Sequence, residues 1–444
     1  MSIRALKTVS TFPESCLFAL LFCGYPIVSF VPNFLPLPDR VASIGFRIAC
    51  LLLSVWVIYR NWRSFTRNRI GLALLLSFWG IYLCRMIYDY QFVGIVGAVE
   101  YSDFATFTFG ISFPTVLATF AIADWTKLKQ APALCMILTT SACAFAVKFG
   151  ISNVQAEGVG RLVANERLNP ILLGHTATTL IITAVWYLLA RPADPHINVR
   201  GKPKVGSDRI VELLRRPFQS GKLAGVVVVV ALGIYALLLS ASRSPTVALL
   251  FCLSLLAIWL RFRVGYLIFL GTALALVFAQ AGFLGDIARL GVNTDRITTL
   301  GLLSEDYNGR VDLFTEAWDK FLSSPLVGTG LFLDNGGYPH NMLLESLMAC
   351  GVLGGTILLA IFLKALIQLI QASKGGNSLV FWMLLLFIQS VFGTMTSGSI
   401  FYDPMMWSTI GLGVGLLSIP RKFRTDEIHS RLQNSLSRRA AFGA

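Results

Sequence analysis

Apolar residues in this chain come in long, nearly unbroken runs, not in the alternation that marks half-buried strands or one-sided helices. A helix needs roughly 20 apolar residues to cross the hydrocarbon core of a bilayer. Twelve runs fit that pattern, at 13–31, 41–59, 70–88, 104–123, 132–150, 170–190, 222–240, 246–260, 264–282, 342–369, 378–396 and 404–420. The first carries Pro13 and Pro26, with Pro32 just beyond, and the eighth is short. The first run lacks an Ala-x-Ala-like cleavage site and a second span follows closely, so it reads as a span and not as a signal peptide. The pattern predicts an all-α polytopic membrane protein of about twelve transmembrane helices. A single transmembrane domain covers 1–420, and a basic tail covers 421–444.

Composition agrees. Only 14% of residues are charged, against about 25% in soluble proteins. That deficit excludes a soluble enzyme, a disordered chain and a nucleic-acid-binding domain. The net charge of +14 is mostly topological. Arg60, Arg63, Arg67 and Arg69, then Lys127 and Lys129, the cluster from Arg191 to Lys222, Arg261 and Arg263, Lys374 and the tail arginines all fall on one side of a twelve-span layout. Basic loops mark the cytoplasmic side, which places both termini inside and leaves no call for a nucleic-acid partner. The basic tail and loop 191–222 are expected to lie along the anionic cytoplasmic leaflet.

On the other side, loop 283–341 is too long for a simple connection. Trp318, its Phe and Leu residues and its helical spacing predict a partly helical extracytoplasmic subdomain between spans nine and ten. The eight cysteines lie inside spans with no C-x-x-C pair and read as packing residues. No H-x-x-x-H, D-x-D or Cys/His cluster suggests a metal, and no P-loop or G-x-S-x-G is present, so no cofactor is expected.

Ionisable groups beside membrane spans are costly and are functional candidates. Arg243 lies in SASRSPT, a very short turn between two spans. It either caps carbonyls at the end of span seven or binds an anion, for which a guanidinium fork is suited. Arg310 opens a stretch, 310–322, whose Phe314, Ala317, Trp318 and Phe321 share a helical stripe. An arginine at a helix N-terminus opposes the macrodipole, so Asp312 or a bound anion is expected to hold it. His340 lies in GGYPHNMLLESL, where the long loop re-enters the membrane. It reads either as an interfacial helix cap or as a base able to take a hydroxyl proton near neutral pH. Asn341 and Glu345 lie one turn apart on its helix.

Three segments together resemble the O-antigen ligase and O-antigen polymerase superfamily. They are SRSP after an apolar span, GRVDLFTEAWDKFLSSPLVGTG, and PHNMLLESLMACGVLGG opening the next span. The likeness runs over 240–356. It includes the Arg-led helix at Arg310, the turn Pro325-Leu326-Val327-Gly328-Thr329-Gly330, the pair His340-Asn341 and the stretch Gly351-Val352-Leu353-Gly354. GRLVANERLNPILLGH also resembles the Arg-containing, Asn-Pro segment of family members, with Arg161 or Arg167 as its arginine.

The resemblance implies a GT-C-like, metal-independent, inverting glycosyltransferase in the bacterial inner membrane, with its active site in the periplasm. Its donor would be a polyprenyl-diphosphate-linked glycan such as one on undecaprenyl diphosphate. Its acceptor would be a lipid A-core or other glycan, in lipopolysaccharide or related polysaccharide biosynthesis. Arg243, Arg310 and His340 match the family's catalytic positions. Arg161, Arg167, Tyr338, Asn341 and Glu345 are the implied substrate-binding residues. A repeat-unit polymerase of the same superfamily is the alternative. A twelve-span secondary transporter is the alternative of another class, with Arg47, Arg85 and Lys148 as its candidate charges.

Overall fold

The computed structural model describes residues 11–35, 39–93, 101–149, 151–153, 161–163, 170–189, 220–240, 242–259, 305–374 and 377–416. Span nine at 264–282, most of loop 191–222, the first part of the long loop, Arg167 and the tail lie outside the described residues. The described part is helical apart from a two-stranded antiparallel ribbon, β1 (Ile151–Asn153) with β2 (Arg161–Val163), which pairs Asn153 with Arg161.

The helices in chain order are α1 (Phe12–Val28), α2 (Asp39–Arg60), α3 (Trp62–Arg67), α4 (Arg69–Tyr88), α5 (Tyr101–Phe107), α6 (Phe113–Ala121), α7 (Ala131–Phe149) and α8 (Pro170–Leu189). They continue with α9 (Ser220–Ser240), α10 (Arg243–Trp259), α11 (Glu305–Ser323), α12 (Met342–Ser373), α13 (Ser378–Thr396) and α14 (Pro404–Gly415). Eight described helical stretches are long and apolar enough to cross a membrane. The chain is thus a multi-pass helical membrane protein. Residues Thr108–Ser112 between α5 and α6 form a π-turn within a helical stretch that runs on from Phe104 to Ala121, so the span stays one run as the sequence reads it.

Local chemistry sets the ends. Asn68, Asn341, Asn377 and Asp403 cap α4, α12, α13 and α14 by accepting from backbone N–H groups of the first turn. Pro404 fills the first position of α14, where a missing N–H costs nothing. The centre is aromatic. Trp79, Tyr82, Trp382 and Trp407 are fully buried, Trp79 and Trp407 have ring centroids 4.8 Å apart, and the Trp407 indole donates to the Ile400 carbonyl at 2.7 Å.

Polar groups mark the two ends of the bundle. At one end Glu14 accepts from Asn61 at 3.2 Å and pairs with Arg60 at 3.6 Å, while Lys127 donates to Asn61. Arg60 and Lys127 are two of the basic residues that the sequence assigns to one side. At the other end lie His340, the start of α10, the end of α13 and the turn into α14.

The turn after α11 lies alongside α12 and not out in the loop. Thr329 N–H donates to the Met348 carbonyl at 2.8 Å, and Val352 N–H donates to the Pro325 carbonyl at 2.7 Å. The contact breaks α12 at Gly351, about 13 Å along the helix from Met342 at about 1.5 Å per residue. Leu326 and Val327 are left exposed beside the exposed Val352 and Leu353. That strip continues down α12 through Leu359 and Leu363, as a lipid-facing surface would. Cysteines placed at Leu326 and Val327 should therefore resist a membrane-impermeant maleimide in intact membranes, while cysteines at Asp334 and Asn335 of the same loop label quickly. Equal labelling at all four would place the turn in water.

Candidate functional site

The end of α13 brings together the segments of two candidates, Arg243 and His340. Ser244, in the first turn of α10, donates to the Phe392 carbonyl at 3.3 Å and lies 2.6 Å from the Thr396 hydroxyl. Asn341 donates to the Met395 carbonyl at 3.1 Å while its oxygen caps α12 by accepting from Leu344 N–H at 3.0 Å. Residues adjacent to Arg243 and His340 therefore grip the same helical turn, although 97 positions separate the two in the chain. Arg243 is the first residue of α10, and its side chain is exposed. A helix N-terminus presents unpaired N–H groups and the positive end of the macrodipole, so guanidinium and helix end both favour an anion there.

His340 is the only non-glycine with positive φ, at 53°, among the described residues. It joins Pro339 to the cap of α12 in a left-handed conformation that histidine tolerates better than most side chains. Its ring meets Tyr338 edge-on at 4.4 Å between centroids. Tyr338 in turn shares a 2.6 Å hydrogen bond with Tyr402, whose hydroxyl donates to the Ser397 carbonyl at 3.1 Å. Burial pushes both phenols above the ordinary tyrosine range. The pair therefore stays protonated near neutrality and fixes the turn on which His340 sits.

Glu345 is buried and fully engaged. Tyr82 donates to it at 3.1 Å, Ser399 at 2.9 Å and Ile400 N–H at 3.1 Å. The carboxyl ties α4, α12 and the 397–403 turn together directly beneath the His340 turn. Arg310 lies within α11, which begins at Glu305 and so places the arginine in its second turn instead of at the N-terminus. Farther along, α11 packs Ala317 with Met348 and Leu333 against α12. Arg161 lies on β2, and Arg167 falls outside the described residues.

Arg85 and Asp89 carry a role that span counting does not reveal. They form an ion pair at 2.8 Å, with side chains only 12% and 6% exposed. Arg85 donates to the Gly328 carbonyl at 3.1 Å and also to the Thr329 carbonyl. Asp89 accepts from Leu331 N–H at 2.9 Å. The pair thus satisfies backbone groups of a non-helical turn that lies beside a transmembrane helix. The signal in the sequence is the i,i+4 spacing of opposite charges at a span end. Arg85 is thereby committed to the turn. Asp89→Asn leaves a buried guanidinium unpaired, and a loss of about 3–5 kcal/mol is expected. Thermal unfolding of the purified protein and proteolytic nicking at 324–331 check it.

A cavity of about 280 Å³ opens at the same end, between α1, α2, the π-turn, α8, α13 and α14. Arg47, His175, Ser397, Tyr402 and Asp403 are among its walls. Sequence reasoning did not single out this group, because its members lie on separate helices with no shared spacing.

Residues 228–359 match a family model described as O-antigen ligase. The matched stretch contains Arg243, Arg310, Tyr338, His340, Asn341 and Glu345, and it bears out the likeness to the O-antigen ligase superfamily read from the motifs. It supports an O-antigen ligase-like, glycosyltransferase-type function in broad terms. No curated protein matches the chain significantly.

Proposed function

We propose that the protein transfers a glycan from a polyprenyl-diphosphate carrier to an acceptor hydroxyl at the periplasmic face of a bacterial inner membrane, as an O-antigen ligase does. The observation that carries this reading is the meeting of the Arg243 and His340 segments on one turn of α13. The full chain would have about twelve spans of the GT-C type. Both termini and the Glu14 end would be cytoplasmic, and the His340 end would be periplasmic.

In this reading the acceptor hydroxyl attacks the anomeric carbon from the face opposite the diphosphate, so the configuration inverts. The new C–O bond forms as the sugar–phosphate bond breaks, and that electron pair leaves on the lipid diphosphate. His340 takes the hydroxyl proton. Arg243, at the N-terminus of α10, meets the growing negative charge, joined by Arg310 and by Arg161 or Arg167. In a partly dehydrated site such preorganised donors are worth far more than in water. No metal is assigned a part. Tyr338 and Asn341 hold the His340 turn and line the approach to it, while the buried, fully hydrogen-bonded Glu345 supports it from within the bundle.

Deletion of the gene tests the reading. Full-length glycan accumulating on the lipid carrier supports ligation. Single repeat units transferred without elongation point to the polymerase of the same superfamily. Unchanged lipid intermediates and unchanged surface glycan would overturn both.

A further inference from the structure

We propose that the cavity beside His175 is a subsite for a neutral sugar ring, which rests on the transferase reading for its place in the reaction. Two buried polar groups in its wall lack partners. His175 is 5% exposed and neither ring nitrogen makes a hydrogen bond, and the buried Ser397 hydroxyl makes none either. Buried polar groups are nearly always paired, so two orphans converging on one space call for a ligand that donates and accepts. Sugar hydroxyls do both.

Part of the remaining wall fits the same chemistry, beside aliphatic residues such as Leu21, Ile111, Ile171 and Met405. Phe107, Tyr25 and Tyr402 supply aromatic surface, which suits the apolar faces of a pyranose. The Arg47 guanidinium lies 3.8 Å over the Phe107 ring and the Asp403 carboxyl occupies another part of the wall, so neither sign of charge prevails. The volume, about 280 Å³, falls just below the range of roughly 300–1,000 Å³ that takes drug-sized molecules, which leaves room for one or two rings. Tyr402 lines the cavity, and its hydroxyl reaches Tyr338, whose ring touches His340. A glycan with one residue in the cavity therefore has neighbouring residues within reach of the proposed reaction centre.

The ring could belong to the acceptor or to the glycan of the donor, and the test separates them. Full-length protein in lipid nanodiscs is titrated with n-octyl glucoside, galactoside and mannoside below their micelle concentrations. Octanol and n-octyl phosphate serve as tail-only and charged-head comparators, and thermal unfolding is the readout. At least one glycoside should raise the midpoint beyond both comparators. Ser397→Ala, which should not disturb the fold, and His175→Phe, which also fills the space, should abolish that difference. In the transfer assay Ser397→Ala should raise one KM about three- to tenfold with kcat nearly unchanged. A rise for acceptor or for donor identifies the source of the ring. If no glycoside exceeds octanol, or both variants keep the full shift, the cavity holds water only and the proposal fails. Binding needs no turnover, so glycoside binding without any transfer would overturn the function proposed above and not this subsite.

Discussion

His340→Gly should accumulate in the membrane like the wild type and lose about 10²–10⁴ in transfer rate, the usual worth of a general base. Glycine is the informative replacement because His340 sits at φ 53°. Alanine would keep a left-handed backbone that it tolerates less well than histidine does, which mixes folding with chemistry. Glycine takes the same conformation freely, and the Asn341 cap on Leu344 N–H remains. His340→Asn is the companion, since asparagine also tolerates the left-handed region but cannot serve as a base near neutral pH. Turnover of lipid-linked glycan in detergent, with no gradient, measures both. Wild-type rates in the two variants would remove the imidazole from the mechanism.

Gly328→Ala and Gly351→Ala should each abolish the folded protein or cost roughly 3 kcal/mol or more, combining a left-handed backbone with an overpacked contact. The two glycines interlock. A Cβ on Gly328 would lie 2.4 Å from the Ala349 carbonyl group, and one on Gly351 would lie 2.4 Å from that of Leu326. Their φ values are 76° and 64°, and the flanking hydrogen bonds, Thr329 to Met348 and Val352 to Pro325, hold backbone against backbone. Neither obstacle is a flexible side chain that can move aside. Gly80→Ala is the contrast. A Cβ there meets nothing within 4 Å, and removing a helical glycine should stabilise α4 by roughly 0.5–1 kcal/mol. Yield of monodisperse protein and its thermal midpoint separate the cases. Normal behaviour of Gly351→Ala would mean that the turn does not dock on α12 as described.

The interlock shows what the sequence could and could not reveal. Hydrophobic run length located the eight described helices that are long and apolar enough to cross a membrane, because crossing a bilayer is a local demand on composition. The amphipathic stripe around Ala317 and Trp318 located the loop helix, though its start at Glu305 precedes the expected 310. Gly328, Gly330, Gly351 and Gly354 were visible as a pattern, but not as two backbones pressed together. That fact depends on which elements become neighbours, and spacing along the chain carries no such information. The same holds for Arg85 with Asp89, whose purpose appears only once residues 328–331 lie against them. It holds equally for the cavity, assembled from side chains as far apart as Arg47 and Asp403. Within the candidate site, the cap of α12 is Asn341 and not His340, the residue the sequence offered for it, because the asparagine oxygen reaches Leu344 N–H. The meeting of Ser244 and Asn341 on the last turn of α13 is not readable from spacing either.

Binding of polyprenyl diphosphate to the purified protein tests the central claim most directly, because it separates holding the diphosphate from moving the proton. Arg243→Ala should bind it at least tenfold more weakly than the wild type, while His340→Gly, inactive in transfer, should bind it as tightly as the wild type does. Equal affinity in the wild type and Arg243→Ala, or no measurable affinity in the wild type, would contradict the assignment of this end of the bundle to a lipid diphosphate.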